Sequence, residues 1–232
     1  MSRAEPGRPG RASFWSLLDD GARQRLLAVG EAVAFAPKTD LVRQYELTDH
    51  LLVIRRGCVK VSRTSMAGYQ AVLAIRDSGD LLGEQAGLDG GPRSATLTAL
   101  TAVEALELPS RDFRAAAREA PVIALALQQV LSERLREADG HRSATGSDAV
   151  EARLAALLLD LGEEHGVRGG DGSILIALPL SQDDLAGLVL SSRRTVTRIL
   201  EQWRGRGWVA TGRNRLTLTR PDELKRLGGT VG

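Results

Sequence analysis

The chain has 232 residues, of which 43% are apolar and 26% charged, and its formal net charge is +2. This composition excludes a collagen-like or wholly disordered chain and predicts a globular protein of one large or two modest domains. No run approaches the ~20 apolar residues of a membrane span. The single cysteine, Cys58, cannot form an internal disulfide or hold an iron–sulfur cluster. Three histidines without ligand spacing argue against a metal or haem site, so we expect a cytoplasmic protein without metal, haem, iron–sulfur cluster or membrane partner.

The residue pattern of the N-terminal part changes twice along the chain. Residues 1–12 are rich in Gly, Pro and Arg and predict a disordered tail. A helical pattern follows from Phe14 to Val29. Between Glu31 and Leu108, short runs rich in β-branched residues alternate with Gly, Asp and Ser turns. Regular short strands of this kind predict a β-sandwich, jelly roll or barrel.

A second helical block begins at Pro121, a residue that is tolerated in the first turn of a helix. Leu127, Leu131 and Leu135 recur four residues apart along it. Such a stripe packs against its own domain or forms a dimer seam. Residues 140–146 begin and end with glycine, and each glycine inside a helix costs about 1 kcal/mol relative to alanine. We therefore predict a hinge there and a new helix over 148–165.

Positive charge is concentrated in residues 181–220, which hold eight arginines and three acidic residues, a net charge of +5. Clustered positive charge is typical of nucleic-acid binders. Ser181 and Asp184 have the spacing of a capping box, which predicts a short helix there.

A turn at residues 190–192 and a second helix from Arg193 follow that short helix. One face of the second helix is apolar, with Val196, Ile199, Leu200 and Trp203, and another carries Arg194, Thr197, Arg198 and Glu201. A buried stripe beside an arginine-bearing stripe, directly after a short helix and a tight turn, predicts a helix-turn-helix. Residues 207–219 predict two strands around a Gly-Arg-Asn turn, a wing that adds Arg213 and Arg215 to the same face.

Two segments resemble the Crp–Fnr superfamily of bacterial transcription regulators. Residues 79–95, GDLLGEQAGLDGGPRSA, are similar to the phosphate-binding cassette of cyclic-nucleotide-binding domains. Residues 185–200, LAGLVLSSRRTVTRIL, are similar to the family's helix-turn-helix. The resemblance implies an α+β fold with an N-terminal antiparallel β-roll (jelly roll) sensor domain, a long dimerisation helix and a C-terminal winged helix-turn-helix. We place these parts at residues 13–120, 121–147 and 148–232.

The resemblance also implies a ligand site and a DNA-binding site. Arg93 can bond two phosphate oxygens at once, Ser94 offers a hydroxyl, and Glu84 can accept a hydrogen bond from a ribose hydroxyl. The expected ligand-binding residues are Gly83, Glu84, Gln85, Ala86, Arg93, Ser94, Ala138 and Asp139. The expected DNA-binding residues are Ser181, Gln182, Ser192, Arg193, Arg194, Thr197, Arg198 and Arg213.

The sequence departs from the family pattern at several of these positions. Ala138 and Asp139 replace the Thr-Ser pair that touches adenine in the cyclic-AMP-binding members. Tyr45 and Leu190 stand where glycine is usual, and we expect Tyr45 to narrow the pocket. Arg194 stands where glutamate is common, which replaces hydrogen-bond acceptors with donors and predicts a different half-site at that base pair.

The expected function is that of a homodimeric DNA-binding regulator controlled by a small anionic ligand, a cyclic nucleotide such as cAMP or a relative. The resemblance further implies a pseudo-palindromic site on double-stranded DNA and RNA polymerase as a partner. Two alternatives stay open: a constitutive DNA-binding regulator with a vestigial pocket, and a ligand-binding or interaction module without a DNA target. We expect no enzyme, because the sequence contains no nucleophile–base pair, metal cluster or P-loop.

Overall fold

The computed structural model describes residues 12–66, 70–147, 149–212 and 214–228. The chain forms two compact units, which divide between Ala138 and Asp139 inside one long helix, while residues 70–72 group with the second unit. Of the predicted tail, residues 1–11 lie outside the described residues. The α+β fold class expected from the resemblance is confirmed.

Two four-stranded sheets occupy the N-terminal part of the chain, in the orders β1-β8-β3-β6 and β2-β7-β4-β5. The strand pairings recorded for them are antiparallel. Their strands are β1 (Glu31–Phe35), β2 (Asp40–Val42), β3 (Leu51–Arg56), β4 (Val59–Thr64), β5 (Gln70–Arg76), β6 (Leu81–Leu82), β7 (Thr96–Ala99) and β8 (Val103–Leu108).

Strand β3 is buried on both of its faces, which explains its unbroken apolar run. Successive side chains of a strand point to opposite faces. Leu51 and Val53 therefore enter a core with the helices of this unit. Leu52 and Ile54 enter a second core shared with β4, β7 and β8.

Four helices accompany these sheets: α1 (Asp20–Val29), α2 (Glu84–Asp89), α3 (Ser110–Glu119) and α4 (Pro121–Ser147). The helix predicted from Phe14 begins only at Asp20, because the Asp19 carboxylate caps it by accepting the Ala22 N–H at 2.7 Å. Phe14 is nevertheless buried. The sequence did not reveal α2 or α3. Helix α2 lies between Gly83 and Gly90, both in the left-handed conformation, so it looks like a glycine-rich loop in the sequence.

The stripe on α4 divides into a core part and an exposed part. Leu127 is 9% exposed and belongs to the core of the first unit, Leu131 packs partly against that core, and Leu135 is 61% exposed. The helix continues through Gly140 and Gly146 to Ser147, so the break predicted at these glycines is wrong. The assignment of residues 121–147 to dimerisation remains a prediction.

The second unit contains a helix pair and a small sheet in the order β11-β12-β10-β9. Its elements after α4 are α5 (Val150–His165), β9 (Gly166–Arg168), β10 (Ile174–Ile176), α6 (Gln182–Leu188), α7 (Arg193–Gly205), β11 (Val209–Gly212), β12 (Arg215–Leu218) and α8 (Pro221–Gly228). The helix predicted from Asp148 begins at Val150, and Asp148 lies outside the described residues. The helix pair and the wing strands β11 and β12 are confirmed, whereas β9, β10 and α8 were not predicted. Within the described ranges, no helix combines the length and apolar character needed to cross a bilayer.

Candidate ligand site and DNA-binding surface

Arg93 lies at the centre of the candidate ligand site and is only 2% exposed. Its Nε donates to the Thr48 hydroxyl at 2.8 Å, its Nη2 to the His50 carbonyl at 2.7 Å, and its Nη1 to the Gly83 carbonyl at 3.0 Å. We call these four residues the arginine cradle. A guanidinium has five N–H donors. Three are engaged in these bonds, and the other two are what the cradle can offer to an anion.

The backbone before β3 holds Arg93 from the other side. The Tyr45 N–H donates to the Arg93 carbonyl at 2.8 Å, and the Arg93 N–H donates to the Glu46 carbonyl at 2.9 Å. Tyr45 adopts a left-handed φ of 72°, the conformation that the glycine usual at this position adopts readily. Its side chain is 63% exposed. The expectation that Tyr45 narrows the pocket remains a prediction.

Gly83 and Gly87 allow the backbone of the cassette to lie close to Arg93 and to strand β3. Gly83 has a left-handed φ of 74°, and a Cβ there would lie 2.4 Å from Nη1 of Arg93. A Cβ on Gly87 would lie 2.7 Å from Cδ1 of Leu51 in β3. Any side chain at residue 83 would thus displace the guanidinium, and one at residue 87 would push α2 away from the sheet.

Glu84 joins the cassette to helix α4. Its carboxylate lies 2.6 Å from Nη1 of Arg134, and both side chains are largely buried. The Arg134 guanidinium also donates to the Leu81 carbonyl. The sequence analysis missed Arg134. Its position four residues before Ala138, one turn along the same side of a helix, is the signal that could have identified it.

The remaining predicted ligand residues occupy different environments. Ala86 is buried in α2, while Gln85 and Ser94 are exposed. Ala138 and Asp139 are exposed on α4, about one turn beyond Arg134. The structure therefore brings Gly83, Glu84 and Arg93 together, and it leaves the side chains of Ala138 and Asp139 in solvent. Ligand binding by any of these residues remains a prediction.

Burial and the surrounding carboxylates have opposite effects on the pKa of Arg93. Burial lowers the pKa of Arg93, and the nearby carboxylates, led by Asp49 and Glu46, act to raise it. The pKa of His50 is also lowered, first by burial and then by the neighbouring Arg93 charge, against the opposing effect of Glu107. The cradle therefore favours a neutral imidazole beside a charged guanidinium.

In the second unit, the capping box predicted for the first helix of the pair is confirmed. The Ser181 hydroxyl accepts the Asp184 N–H at 3.1 Å, and the Asp184 carboxylate accepts the Ser181 N–H at 2.8 Å, a complete capping box. Ser192 caps α7 by accepting the Thr195 N–H at 3.1 Å. Between the helices, Leu190 has a left-handed φ of 50°, so a leucine takes the conformation for which the family uses glycine.

The arginines at the start of α7 differ in how they are held. Arg193 is 3.1 Å from the Asp183 carboxylate, an exposed ion pair, and Thr197 donates to Gln182 at 2.6 Å. Arg194 and Arg198 are exposed and lie one turn apart. We call Arg194 and Arg198 the free arginine pair, because neither side chain has a hydrogen bond or ion pair to another described residue. Arg213 lies outside the described residues.

Helix α7 is fixed to its own unit by its apolar stripe and by one partly buried hydrogen bond. Val196, Ile199, Leu200 and Trp203 are buried, as predicted. The Trp203 indole donates to the Glu151 carboxylate of α5 at 2.9 Å, a partner that the sequence did not reveal. Arg204 donates to the Thr211 hydroxyl of β11 at 3.0 Å. This bond joins the wing to the second helix of the pair.

Family models match both units of this chain. The cyclic nucleotide-binding domain model matches residues 32–120, and the Crp-like helix-turn-helix domain model matches residues 152–227. The chain is 30% identical over 199 residues to the CRP-like cAMP-activated global transcriptional regulator of Mycobacterium tuberculosis, a match that covers 86% of this chain and 88% of that protein. It is 34% identical over 169 residues to the cyclic AMP receptor protein of Thermus thermophilus, covering 73% of this chain and 74% of that one.

A solved structure supports the fold. The c-di-GMP responsive global regulator CLP of Xanthomonas campestris superposes with a TM-score of 0.76 at 24% identity, covering 86% of this chain and 99% of that one. At this identity the likeness concerns the fold.

Proposed function

Because the chain belongs to the Crp–Fnr superfamily of DNA-binding transcription regulators, we propose that it acts as a homodimer controlled by a small anionic ligand. The ligand that the cradle suits is a cyclic nucleotide, cAMP or a relative, and the target is a pseudo-palindromic site on double-stranded DNA. The observation that carries this proposal is the pairing of Glu84 in the cassette with Arg134 on α4. It joins the expected ligand site to the expected dimer helix.

The chemistry of the cassette suits a cyclic phosphodiester with a free sugar hydroxyl. Two N–H groups of the Arg93 side chain are not used in the hydrogen bonds of the cradle and can donate to phosphate oxygens. Charge-assisted hydrogen bonds of this kind are strong. A sugar hydroxyl that donates to Glu84 would share the carboxylate with Arg134. The ligand would thereby change how α4 is held, and it switches the protein only if it binds the active arrangement better than the inactive one.

A second candidate function is supported by the cradle itself. Three of the Arg93 donors already have acceptors within the protein, so Arg93 also fits a purely structural role. The protein would then be a constitutive DNA-binding regulator with a vestigial pocket. Operator binding that needs no added nucleotide would distinguish this candidate from the first.

Calorimetry on the full chain with cAMP, cGMP and c-di-GMP tests the ligand proposal. We expect one of the three to bind, and Arg93→Ala to weaken its binding by at least about tenfold, since a hydrogen bond to a charged group is worth roughly 1.5–3 kcal/mol. Arg63→Ala, on an exposed arginine of β4, is the matched control and should bind like the parent.

Glu84→Gln keeps the experiment decisive if Arg93→Ala does not fold. This variant removes the charge that faces Arg134 while keeping the side-chain shape, and we expect weaker ligand binding with an intact fold. A parent protein that binds none of the three nucleotides, or an Arg93→Ala protein that binds as tightly as the parent, would overturn the ligand proposal.

The dimer is proposed from the exposed end of the α4 stripe. A leucine that is 61% exposed, Leu135, on a helix whose preceding turns are packed in the core is a suitable contact for a second copy. Leu135→Glu should give monomers in sedimentation and weak operator binding, because a charge buried at the seam is left unpaired. Leu47→Glu, at an exposed loop leucine, should leave the assembly unchanged. A monomeric parent would contradict the proposal.

The DNA contacts are proposed for the start of both helices of the pair. Residues near the N-terminus of a recognition helix reach base edges, and arginine pairs with guanine. The free arginine pair, Arg194 and Arg198, suits base reading, whereas Arg193, Ser181, Gln182 and Ser192 suit positioning on the phosphates. A two-fold dimer then requires half-sites ~10–10.5 base pairs apart or a multiple of that. RNA polymerase is the further partner that the family membership supports.

A further inference from the structure

A cavity of about 260 Å³ lies inside the second unit, between the helix pair and the wing. We call it the wing cavity. Its walls come from α5, α6 and α7, from β10 and the segment after it, and from both wing strands. It is separate from the arginine cradle, which lies wholly in the first unit. The ligand proposal above makes no use of it, and the DNA proposal shares one of its lining residues, Gln182.

The burial of the lining residues defines a base and a mouth. The base is made of buried aliphatic side chains: Leu158, Leu161, Ile176, Leu178, Leu185 and Leu200. Three other lining residues, Thr211, Gly212 and Arg215, are exposed. The cavity is therefore apolar at its base and polar at the end formed by the wing.

Arg215 places a positive charge at the mouth. Its side chain lies across Gly212, where a Cβ would come within 2.8 Å of Nε of Arg215. Residues 212 and 215 face each other as partners in the wing ladder. The glycine thus leaves room for the guanidinium to fold over the end of the wing cavity. No hydrogen bond or ion pair joins it to another described residue.

The volume of the cavity limits the ligand to a small molecule. A protein cavity of about 150 Å³ lined by aliphatic side chains stays dry and binds benzene, while ordinary ligand pockets measure about 300–1,000 Å³. A cavity between these two sizes fits a body of roughly 8–12 non-hydrogen atoms. An apolar base with a guanidinium at the mouth selects a compact amphipathic anion.

We propose that the wing cavity is a second ligand site, specific for a small monocarboxylate with an apolar tail or ring. The tail lies on the leucines of the base, and the carboxylate accepts hydrogen bonds from Arg215. The wall includes Leu200 of α7 and Gln182, which is bonded to Thr197 of the same helix. A ligand here therefore touches the elements that hold the recognition helix and the wing, independently of the nucleotide site.

Calorimetry with sodium octanoate on the full chain tests this site, with 1-octanol as the uncharged comparison. We expect octanoate to bind with a Kd below about 1 mM, within the range open to ten non-hydrogen atoms. Octanol should bind about tenfold more weakly. Arg215→Gln should lower octanoate affinity about tenfold, to the level of octanol, because the charged hydrogen bond is lost.

Leu216→Phe fills the cavity and should abolish octanoate binding. Leu175→Phe is the matched control, since Leu175 and Ile176 are neighbours in β10 and only Ile176 lines the cavity. Chemical shifts of the Leu158, Leu185 and Leu200 methyl groups locate the bound octanoate in the parent, even if Leu216→Phe does not fold.

The proposal is overturned if the parent shows no binding at about 5 mM octanoate or if octanoate shifts none of these methyl groups. Equal binding to Leu216→Phe and the parent, or to Arg215→Gln and the parent, would overturn it as well. Glu84→Gln, which we expect to keep an intact fold, should bind octanoate like the parent, so failure of the nucleotide site and failure of the wing cavity give different results.

Discussion

Two arginine sites in this molecule show opposite ways of using the same side chain. In the sensor domain, Arg93 is 2% exposed and donates to Thr48, His50 and Gly83. On helix α7, the free arginine pair is exposed. The Arg93 side chain is hydrogen-bonded to the residues that surround it. The side chains of Arg194 and Arg198 make no such contact with described residues, so we expect the fold not to depend on them. Changes at these sites should therefore separate stability from recognition.

The largest expected difference concerns stability. Arg93→Ala leaves three acceptors without their donor, and we expect the free energy of unfolding of the sensor domain to fall by about 3 kcal/mol or more. Arg194→Ala should change it by no more than about 0.5 kcal/mol, as exposed substitutions do. Hydrogen exchange of the β3 amides isolates the sensor sheet. Equal effects of the two variants would show that the cradle contributes no more than a surface contact.

The next effect concerns DNA. Arg194→Ala should weaken binding to the best site by ~1–3 kcal/mol and relax the preference at one base pair. If Arg194 instead contacts a phosphate, Arg194→Ala should weaken binding to all DNA sequences alike. The slope of the logarithm of the binding constant against the logarithm of the salt concentration should then fall by about one. Selection from random DNA with parent and variant decides between them. Identical preferences would refute base reading by Arg194.

A smaller effect on stability is expected at two residues with a left-handed φ, one in each region. Tyr45 in the sensor loop and Leu190 in the helix-pair turn adopt φ values of 72° and 50°. The left-handed conformation costs roughly 1–2 kcal/mol outside glycine, so Tyr45→Gly and Leu190→Gly should each stabilise the protein, by up to about 1 kcal/mol. Leu47→Gly, at an exposed residue without a positive φ, should not stabilise it. Urea unfolding measures all three.

The smallest expected effect is a pH dependence confined to the cradle. The pKa of His50 is lowered by burial and by Arg93, so the unfolded chain takes up a proton near pH 6.5 that the folded chain resists. The contribution of His50 to stability is therefore present above pH 6.5 and falls as the pH drops below it. His50→Gln should flatten sensor-domain unfolding over that range. An unchanged pH profile would show that the imidazole titrates alike in both states.

The sequence predicted local elements in both regions but not the long-range contacts that hold their side chains. The spacing of Ser181 and Asp184 predicted the capping box, and the stripe from Val196 to Trp203 predicted the buried face of α7, because both depend on residues close in the chain. Arg134 was missed because its partner Glu84 is fifty residues away.

By itself, the sequence determined the elements with a clear period or a local cap: the helix pair, the wing and the strands from Glu31 to Leu108 other than β2 and β6. It also determined the family to which the chain belongs. Only the tertiary structure decided that Leu127 is core and Leu135 is exposed, and that α4 continues through Gly140. It alone showed that the Arg93 side chain donates three hydrogen bonds within the protein and that a cavity lies between the helix pair and the wing. The physical reason is range: periodicity and caps act within a few residues, whereas burial and cavities depend on surfaces that meet only after the chain has folded.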